Sequence, residues 1–275
     1  MNISKLKTTT FLLSLAALAA FTASCSKEDG PAVPEGTSRL DVAGLYSRAP
    51  SGESTPLNGD CALVLLDGSG QSYGGVHNPV RAAYLSEGAY NIPEILLTET
   101  PGLLHAFHPY GTELRDGILR LDLLTRTDYL ASAAPGISVD YRNRKVQRLE
   151  LHHLLARIGV QVDGYPECTL SVTGYPYLGS YSLSSGTFSI ESPTATLASP
   201  SSSLLVFPGS IKDYKALVTC GGEEFSYYFP EQELEGGKEY RYRLKVSREG
   251  KLELEGITVT AWQDGGEYEI PVRPE

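Results

Sequence analysis

Five histidines are the side chains best suited to proton transfer or metal binding, and their spacing forms no site: His77, His105, His108, His152 and His153. His105 and His108 lie three residues apart in a segment predicted to be a strand. Side chains alternate across a strand, so these two face opposite sides and cannot bind one metal ion. His152 and His153 lie in an apolar run, where we expect one ring to pack or hydrogen-bond in the core.

The other groups that could support catalysis form no known motif. The sequence has no GxSxG, HExxH, Walker loop or GxGxxG. Asp67-Gly-Ser-Gly70 and Asp264-Gly-Gly-Glu267 lack the alternating oxygen ligands of a calcium loop, so we predict hairpin turns. The carboxylates are scattered and define no glycosidase pair. The sequence therefore predicts no catalytic residue, no metal site and no cofactor.

Tyrosines are abundant, with 17 in the chain, and could stack on sugars. The clearest candidates are Tyr175-Pro-Tyr177 and Tyr227-Tyr228. Because tyrosine is also a favoured strand residue, we favour packing in the core, with glycan stacking as the alternative.

The N-terminus has the pattern of an export signal. Lys5 and Lys7 form a positive region, Phe11–Phe21 is a short apolar stretch, and small residues follow at 22–24. The apolar stretch is about half of the ~20 residues that a membrane-spanning helix needs. We predict that residues 1–24 are a signal peptide removed on export.

The small residues before Cys25 resemble the lipobox of bacterial lipoproteins, whose cysteine is acylated and becomes the mature N-terminus. Thr22 stands where leucine is more usual, and an ordinary secreted cysteine is the alternative. The acidic segment Ser26-Lys-Glu-Asp29 is similar to a surface-export signal of Gram-negative lipoproteins. The resemblance implies a lipid anchor on Cys25 in the outer membrane, durable because each buried methylene contributes about 0.8 kcal/mol.

Three further cysteines remain in the chain. Cys61, Cys168 and Cys220 are too far apart for a CxxC zinc or redox motif. An exported protein can form a disulfide, but three thiols cannot all pair within one chain. Buried free cysteines and a Cys168–Cys220 pair both stay open.

Composition and charge restrict the class of protein. The chain has 275 residues, of which 41% are hydrophobic and 20% charged, as in a folded soluble protein. The balance of 23 basic and 33 acidic residues gives 23 − 33 = −10. Nucleic-acid binding needs a concentrated basic surface, so we predict no nucleic-acid partner.

Short apolar segments separated by Gly, Pro, Asn and Asp predict an all-β fold. Asp128–Pro135 lacks alternation and is expected to be a loop or a helical turn. In Leu149–Ile158 we favour a strand over a helix, because Val160 and Val162 continue an alternating pattern. The expected strands are Cys61–Leu66, Tyr84–Ile92, Leu103–Tyr110, Ile118–Leu124, Val146–Val162, Thr169–Thr173, Thr187–Ile190, Ser203–Phe207, Tyr214–Thr219, Phe225–Phe229, Gly237–Val246 and Leu252–Val259.

At least a dozen strands would make a single β-sandwich oversized, so two sandwich domains fit better. The predicted boundaries place a flexible tether at residues 25–38, rich in Pro, Gly, Ser and charge. An N-terminal domain follows at residues 39–145 and a C-terminal domain at residues 146–275.

Several segments, taken together, resemble the fimbrillin family of pilus proteins. Asp128-Tyr-Leu-Ala-Ser-Ala and the stretch from Val146 to Val160 are similar to two linked family motifs. His153 matches the motif histidine, Leu151 stands where Phe is common, and Arg157 replaces Lys. The other matching segments are Phe107-His-Pro-Tyr110, Leu234–Val246 and Gly256–Gly265, the last with its single tryptophan, Trp262.

The resemblance implies two transthyretin-like, Greek-key type β-sandwich domains and assembly at the cell surface by strand exchange. In the family a protease cuts after an arginine in the N-terminal region. Arg39 and Arg48 are the candidates here, and we favour Arg48 because a Gly- and Ser-rich stretch follows it. A sandwich that lacks one strand exposes an apolar groove, which an extended segment of another subunit can fill. The expected donor strand is C-terminal, with Tyr268, Ile270 and Val272 alternating, although Pro271 would restrict it to an edge.

The leading hypothesis is therefore a non-catalytic pilus subunit. Its expected partners are other pilus subunits and a host or bacterial surface ligand, and its location is the fimbrium and the outer membrane. The alternative is a monomeric or anchoring surface lipoprotein that binds glycans. A hydrolase is the third hypothesis.

Overall fold

The computed structural model describes residues 34–86 and 88–262, and these residues form 27 strands and one short 3-10 helix, Leu123–Thr125. The strands up to residue 146 are β1 Ser38–Arg39, β2 Asp41–Val42, β3 Leu45–Arg48, β4 Ser54–Pro56, β5 Cys61–Leu66, β6 Val80–Ser86, β7 Ala89–Asn91, β8 Leu96–Leu97, β9 Gly102–His108, β10 Leu114–Arg115, β11 Ile118–Asp122, β12 Leu130–Ser132, β13 Ile137–Val139 and β14 Lys145–Val146. The remaining strands are β15 Leu149–His153, β16 Ala156–Val162, β17 Cys168–Pro176, β18 Leu178–Ser182, β19 Phe188–Ile190, β20 Thr194–Ser199, β21 Ser203–Val206, β22 Gly209–Ser210, β23 Lys215–Cys220, β24 Glu223–Tyr228, β25 Glu233–Leu234, β26 Lys238–Val246 and β27 Leu252–Ala261. Within these residues, no helix has the length and apolar character to cross a bilayer.

A nine-stranded sheet organises the first part of the chain. Its order is β4-β3-β15-β12-β9-β5-β6-β7, and β13 also pairs with β9. Strand β5 is buried at every position. Ala62 and Val64 belong to one core cluster, while Leu63 and Leu65 belong to another. The sheet is therefore covered on both faces, which explains the uninterrupted apolar sequence of β5.

Two four-stranded sheets form a sandwich in the second part, in the orders β21-β16-β26-β27 and β20-β17-β23-β24. Tyr240, Tyr242 and Leu244 of β26 are buried, and the residues between them are half-buried or exposed. The inward rings pack edge to face, with the centroids of Phe229 and Tyr242 4.9 Å apart. The strict alternation of β26 thus places one face in the core and one in water.

A third sheet, β10-β11-β18-β19, joins strands that are distant in sequence. Strand β11 pairs antiparallel with β18, from Ile118↔Ser182 to Asp122↔Leu178. Strand β15 likewise pairs with β3 and β12 in the nine-stranded sheet. Strands on the N-terminal side of the expected boundary at residues 145 and 146 therefore pair with strands on its C-terminal side, in two different sheets. The two-domain division and its transthyretin-like type stay predictions.

The all-β prediction is confirmed, and so is the choice of strand over helix for Leu149–Ile158. The structure divides that segment into β15 and β16, which belong to different sheets. The chain changes sheets at Leu154 and Leu155, both of which are buried. Strands β18 and β20 are present where the sequence pattern gave no prediction.

Two local predictions were wrong. Asp128–Pro135 was expected to be a loop or a helical turn, but Leu130–Ser132 is strand β12 with all three residues buried. Alternation is absent there because β12 lies between β15 and β9 and is covered on both faces. Tyr84–Ile92 was expected to be one strand, but it contains the end of β6 and all of β7, which pair as a hairpin.

Candidate functional site

Three segments that carry the fimbrillin resemblance meet in one cluster, formed by Asp128, His153, Arg157 and Trp262. Asp128 precedes β12, His153 ends β15, Arg157 lies in β16, and Trp262 follows β27. These residues are far apart in sequence and come together because β12 pairs with β15 and β26 pairs with both β16 and β27. We call this set the junction cluster.

His153 holds the junction cluster together from the inside. Its Nδ1 donates to Asp128 Oδ2 at 2.8 Å, and its imidazole is almost fully buried. Its ring stacks on the Trp262 indole with centroids 4.3 Å apart and 15° between the planes. This confirms the expectation that one ring of the His152–His153 pair hydrogen-bonds in the core. The buried, stacked ring and its Asp128 partner therefore fix the orientation of the Trp262 indole.

Arg157 is the fourth member of the junction cluster and contacts the Trp262 ring. Its guanidinium carbon lies 4.1 Å from the centroid of the Trp262 ring, within the range of a cation–π contact. The Trp262 indole is therefore in contact with both the His153 ring and the Arg157 guanidinium. Trp262 is 3% exposed, and its backbone N–H donates to Gly237 O at 2.7 Å.

The Gly236-Gly237 pair explains why the motif before β26 has two glycines. A Cβ on Gly236 would lie 2.8 Å from Leu154 O, a distance that real Cβ atoms do not adopt. Gly237 has a φ of +75°, in the left-handed region that favours glycine, and its N–H donates to Leu155 O. The motif therefore lets β26 approach the link between β15 and β16 closely enough to position Trp262.

The N-terminal segment 38–48 lies extended against other strands and contains both protease candidates. β1 pairs antiparallel with β8, whereas β2 and β3 pair parallel with β14 and β15. Leu45 is fully buried, in the core cluster that also contains Leu63 and Leu65 of β5. This segment thus completes an apolar layer that the rest of the chain leaves open.

Arg39 and Arg48 are both ion-paired and partly exposed. Arg39 Nε lies 2.9 Å from Glu94 Oε1. Arg48 pairs with Glu150, and this hydrogen bond is the main reason that the pKa of the Glu150 carboxyl is below its usual value. After Arg48 the chain turns back, with Gly52 N donating to Ala49 O at 2.9 Å. Cleavage after either arginine stays a prediction.

The described cysteines divide into a disulfide and a buried thiol. Cys168 and Cys220 are directly opposite in the β17–β23 pair and form a disulfide. Cys61 is free and fully buried, and burial raises its pKa to about 11. A thiol with so high a pKa is a poor nucleophile at neutral pH, so Cys61 has a packing role.

His105 and His108 are on opposite faces of β9, as their spacing predicts. His108 Nδ1 lies 3.1 Å from Asp60 O. His105 is fully buried, and neither ring nitrogen has a hydrogen-bond partner among the described residues. Burial lowers the pKa of His105 to about 4. The same part of the chain contains no group of three or more His, Cys, Asp or Glu side chains able to hold a metal ion.

The tyrosine pairs considered for sugar stacking are mostly core residues. Tyr175 and Tyr227 are 4% and 7% exposed, and Tyr175 Oη donates to Phe207 O. Tyr228 is the one of these four that is largely exposed, at 61%. Packing in the core is therefore confirmed for Tyr175 and Tyr227. The turn at Asp67 is also confirmed, because its carboxylate accepts from the backbone N–H groups of Ser69 and Gln71.

Several predicted site residues lie outside the described residues. These are the signal peptide at residues 1–24, the lipidation candidate Cys25, the turn at 264–267, and the donor-strand candidates Tyr268, Ile270 and Val272.

Comparison with known proteins assigns the chain to a family. The model of the fimbrillin-like family matches residues 89–262, which is more than half of the chain and includes all four members of the junction cluster. The protein therefore belongs to the fimbrillin-like family, whose members are pilus-related adhesins. No curated protein sequence matches the chain at a significant level.

Two solved structures have the same fold at low sequence identity. A proposed cell adhesion protein from Bacteroides ovatus superposes with a TM-score of 0.61 and 12% identity, covering 83% of this chain and 100% of its own. A second, from Bacteroides uniformis, gives a TM-score of 0.60 and 18% identity, covering 82% of this chain and 99% of its own. At this identity the likeness shows the fold alone.

Proposed function

We propose that this protein is a non-enzymatic pilus subunit, exported as a lipoprotein through Cys25 and assembled at the cell surface by strand exchange. The observation that supports strand exchange best is the parallel pairing of β3 with β15, in which Leu45 is fully buried. Removing β3 would unpair one edge of β15 and uncover apolar core. An extended strand from another subunit could then restore both the backbone pairing and the burial.

The position of β3 favours Arg48 over Arg39 as the processing site. Cleavage after Arg39 would remove β1 and leave Leu45 in place. Cleavage after Arg48 would remove β1, β2 and β3 together. Cleavage after Arg48 therefore opens the larger groove, along β8, β14 and β15.

The first expected result is a mature protein that begins at Ala49. N-terminal sequencing and the intact mass of protein recovered from the outer cell surface would measure this directly. Retention of an acylated Cys25 would contradict polymerisation by this route and would indicate an anchor or a monomeric binding lipoprotein. The variant Arg48→Gln, with Arg39→Gln as its matched control, should block processing if the Arg48–Ala49 bond is the site.

The second expected result concerns the donor strand. Ile270→Asp should abolish polymers, because a carboxylate would have to enter an apolar groove without a partner. Glu269→Gln is the matched control, since neighbouring residues of a strand face opposite sides. Polymer length can be followed by electron microscopy and by migration in denaturing gels without heating. Unchanged polymers with Ile270→Asp would mean that the C-terminal segment is not the donor.

A further inference from the structure

A polar groove of about 610 Å³ lies on the outer face of the sheet β21-β16-β26-β27, and we call it the sheet groove. Val160 and Val162 of β16 point into the core, so Gly159 and Gln161 face outwards. Gly159 has no side chain, and its neighbours across the sheet are Ser203 of β21 and Arg241 of β26. Gly159 therefore forms a low floor between two strands that carry side chains. The groove is also lined by Gln161, Tyr165, Glu239 and Thr260.

Two arginines fix a carboxylate inside the sheet groove. Arg241 Nη2 donates to Glu239 Oε1 at 3.0 Å, and Arg157 Nη1 lies 3.7 Å from Glu239 Oε2. Each carboxylate oxygen thus faces one guanidinium, and charge-assisted contacts of this kind hold the carboxylate in a defined orientation. The Arg241 side chain remains 40% exposed. The groove therefore presents a fixed acceptor beside N–H donors, an arrangement that matches two adjacent hydroxyl groups.

Uncharged polar groups and one aromatic ring surround this carboxylate. Thr260 of β27 is opposite Glu239 in the sheet, and Gln161 is exposed. Tyr165 closes one end of the groove, and its ring packs edge to face on Phe225 with centroids 6.0 Å apart. A tyrosine held in this way offers an apolar ring surface next to polar groups. Polar side chains around an aromatic ring suit a ligand that has both hydroxyl groups and apolar C–H faces.

The surrounding charges favour an uncharged occupant. Asp163 and Glu167 lie on either side of Tyr165 in the turn after β16, and Tyr165 Oη donates to Glu223. These carboxylates repel an anionic ligand at that end of the groove, and the net charge of −10 adds to the repulsion at long range. An apolar ligand would cover Glu239 without giving it a hydrogen-bond donor, which is costly. A neutral ligand rich in hydroxyl groups avoids both costs.

We propose that the sheet groove binds a neutral oligosaccharide. Glu239 and Arg241 bond to adjacent hydroxyl groups, the Gln161 amide bonds to a further one, and the Tyr165 ring lies against a sugar ring. The volume of about 610 Å³ is within the usual range for small-ligand sites, about 300–1,000 Å³. Every residue that lines the groove lies between 157 and 261. The site therefore does not depend on the proposed cleavage after Arg48 or on strand exchange.

Filling the floor of the groove tests the proposal. A Cβ on Gly159 would lie 3.6 Å from Ser202 O, an ordinary contact, so Gly159→Val should fold and occupy the space where the sugar binds. Gly256→Val is the matched control, because Gly256 is in the same sheet outside the groove and its Cβ would meet nothing within 4 Å. Gln161→Ala is a second variant, which removes one hydrogen-bonding group from an exposed position.

Calorimetric titration of the monomeric mature protein would use maltohexaose, cellohexaose, mannohexaose and xylohexaose, with hexagalacturonate as the anionic probe. At least one neutral hexasaccharide should bind saturably, and hexagalacturonate should bind at least tenfold more weakly. Gly159→Val should weaken the binding at least tenfold, Gln161→Ala about threefold to tenfold, and Gly256→Val should bind like wild type. Thermal unfolding followed by circular dichroism should give similar midpoints for all variants.

Four results would overturn the proposal. They are binding of none of the neutral sugars, equal affinity of Gly159→Val and wild type, tighter binding of hexagalacturonate than of any neutral sugar, and sugar binding only after residues 263–275 are removed. The last result would assign the groove to the C-terminal segment of the chain itself. Sugar binding by Ile270→Asp should equal that of wild type, so a failure of strand exchange and a failure of sugar binding are measured separately.

Discussion

Replacing Trp262 with alanine is expected to destabilise the protein by about 3–5 kcal/mol, the usual cost of removing a large buried aromatic side chain. The indole is 3% exposed and contacts both the His153 ring and the Arg157 guanidinium. Its loss leaves a cavity and also exposes the buried His153–Asp128 pair to water. Urea unfolding followed by circular dichroism would measure the change, because the variant has no other tryptophan to report on it.

The matched variant Trp262→Phe separates the effect of filling the space from the effect of the indole's contacts with His153 and Arg157. Phenylalanine keeps an aromatic ring for His153 to stack on and fills most of the space, so it should lose less stability than alanine. A loss below about 1 kcal/mol for Trp262→Ala would contradict a stabilising role for the junction cluster. Because Trp262 lies only six residues before Tyr268, the first donor-strand candidate, Trp262→Ala should also reduce polymerisation more than its stability loss alone explains.

His105→Leu is expected to remove a large part of the acid sensitivity of the protein. The pKa of His105 is about 4 in the folded state because burial disfavours the charged ring, against an ordinary value of 6.5. Below pH 6.5 the unfolded chain therefore binds a proton that the folded chain does not bind, and the stability falls as the pH drops from 6.5 towards 4. The difference between the two pKa values lowers the free energy of unfolding of wild type by about 3 kcal/mol at pH 4. The His105→Leu variant should not show this loss.

At pH 7 the same variant should be at least as stable as wild type. Leucine removes two buried ring nitrogens that have no hydrogen-bond partner among the described residues, and unpaired buried polar atoms are costly. The ring packs closely against Gly136, where a Cβ would lie 2.7 Å from His105 Cε1.

Comparing the pH dependence of stability between wild type and His105→Leu separates the contribution of His105 from that of the other titrating groups. Burial also lowers the pKa of His152. His152 is present in both wild type and His105→Leu, so both proteins should lose some further stability through His152 in the same pH range. The carboxyls with lowered pKa values, such as Asp60 and Glu150, act at lower pH. His77→Leu is the control, because His77 is exposed. Equal pH dependence of stability in wild type and His105→Leu would contradict the assignment to His105.

The sequence by itself determined the properties that depend on neighbouring residues. Gly237–Val246, in which Tyr240, Tyr242 and Leu244 alternate with charged residues, was an expected strand, and the structure has it as β26. The turn residues at 67–70 predicted a hairpin turn that is present. These predictions succeed because side-chain direction along a strand has a period of two, which is a local property. The same rule placed His105 and His108 on opposite faces of β9.

Only the tertiary structure decided which strands pair and what each side chain contacts. The missing alternation of β12 was taken for a loop or a helical turn, because burial on both faces depends on strands that are distant in sequence. Asp128, His153 and Trp262 were identified as separate parts of a resemblance, and their contact follows from the pairing of β12 with β15 and of β26 with β16 and β27. Pairing partners depend on long-range burial of apolar surface, which no local pattern encodes.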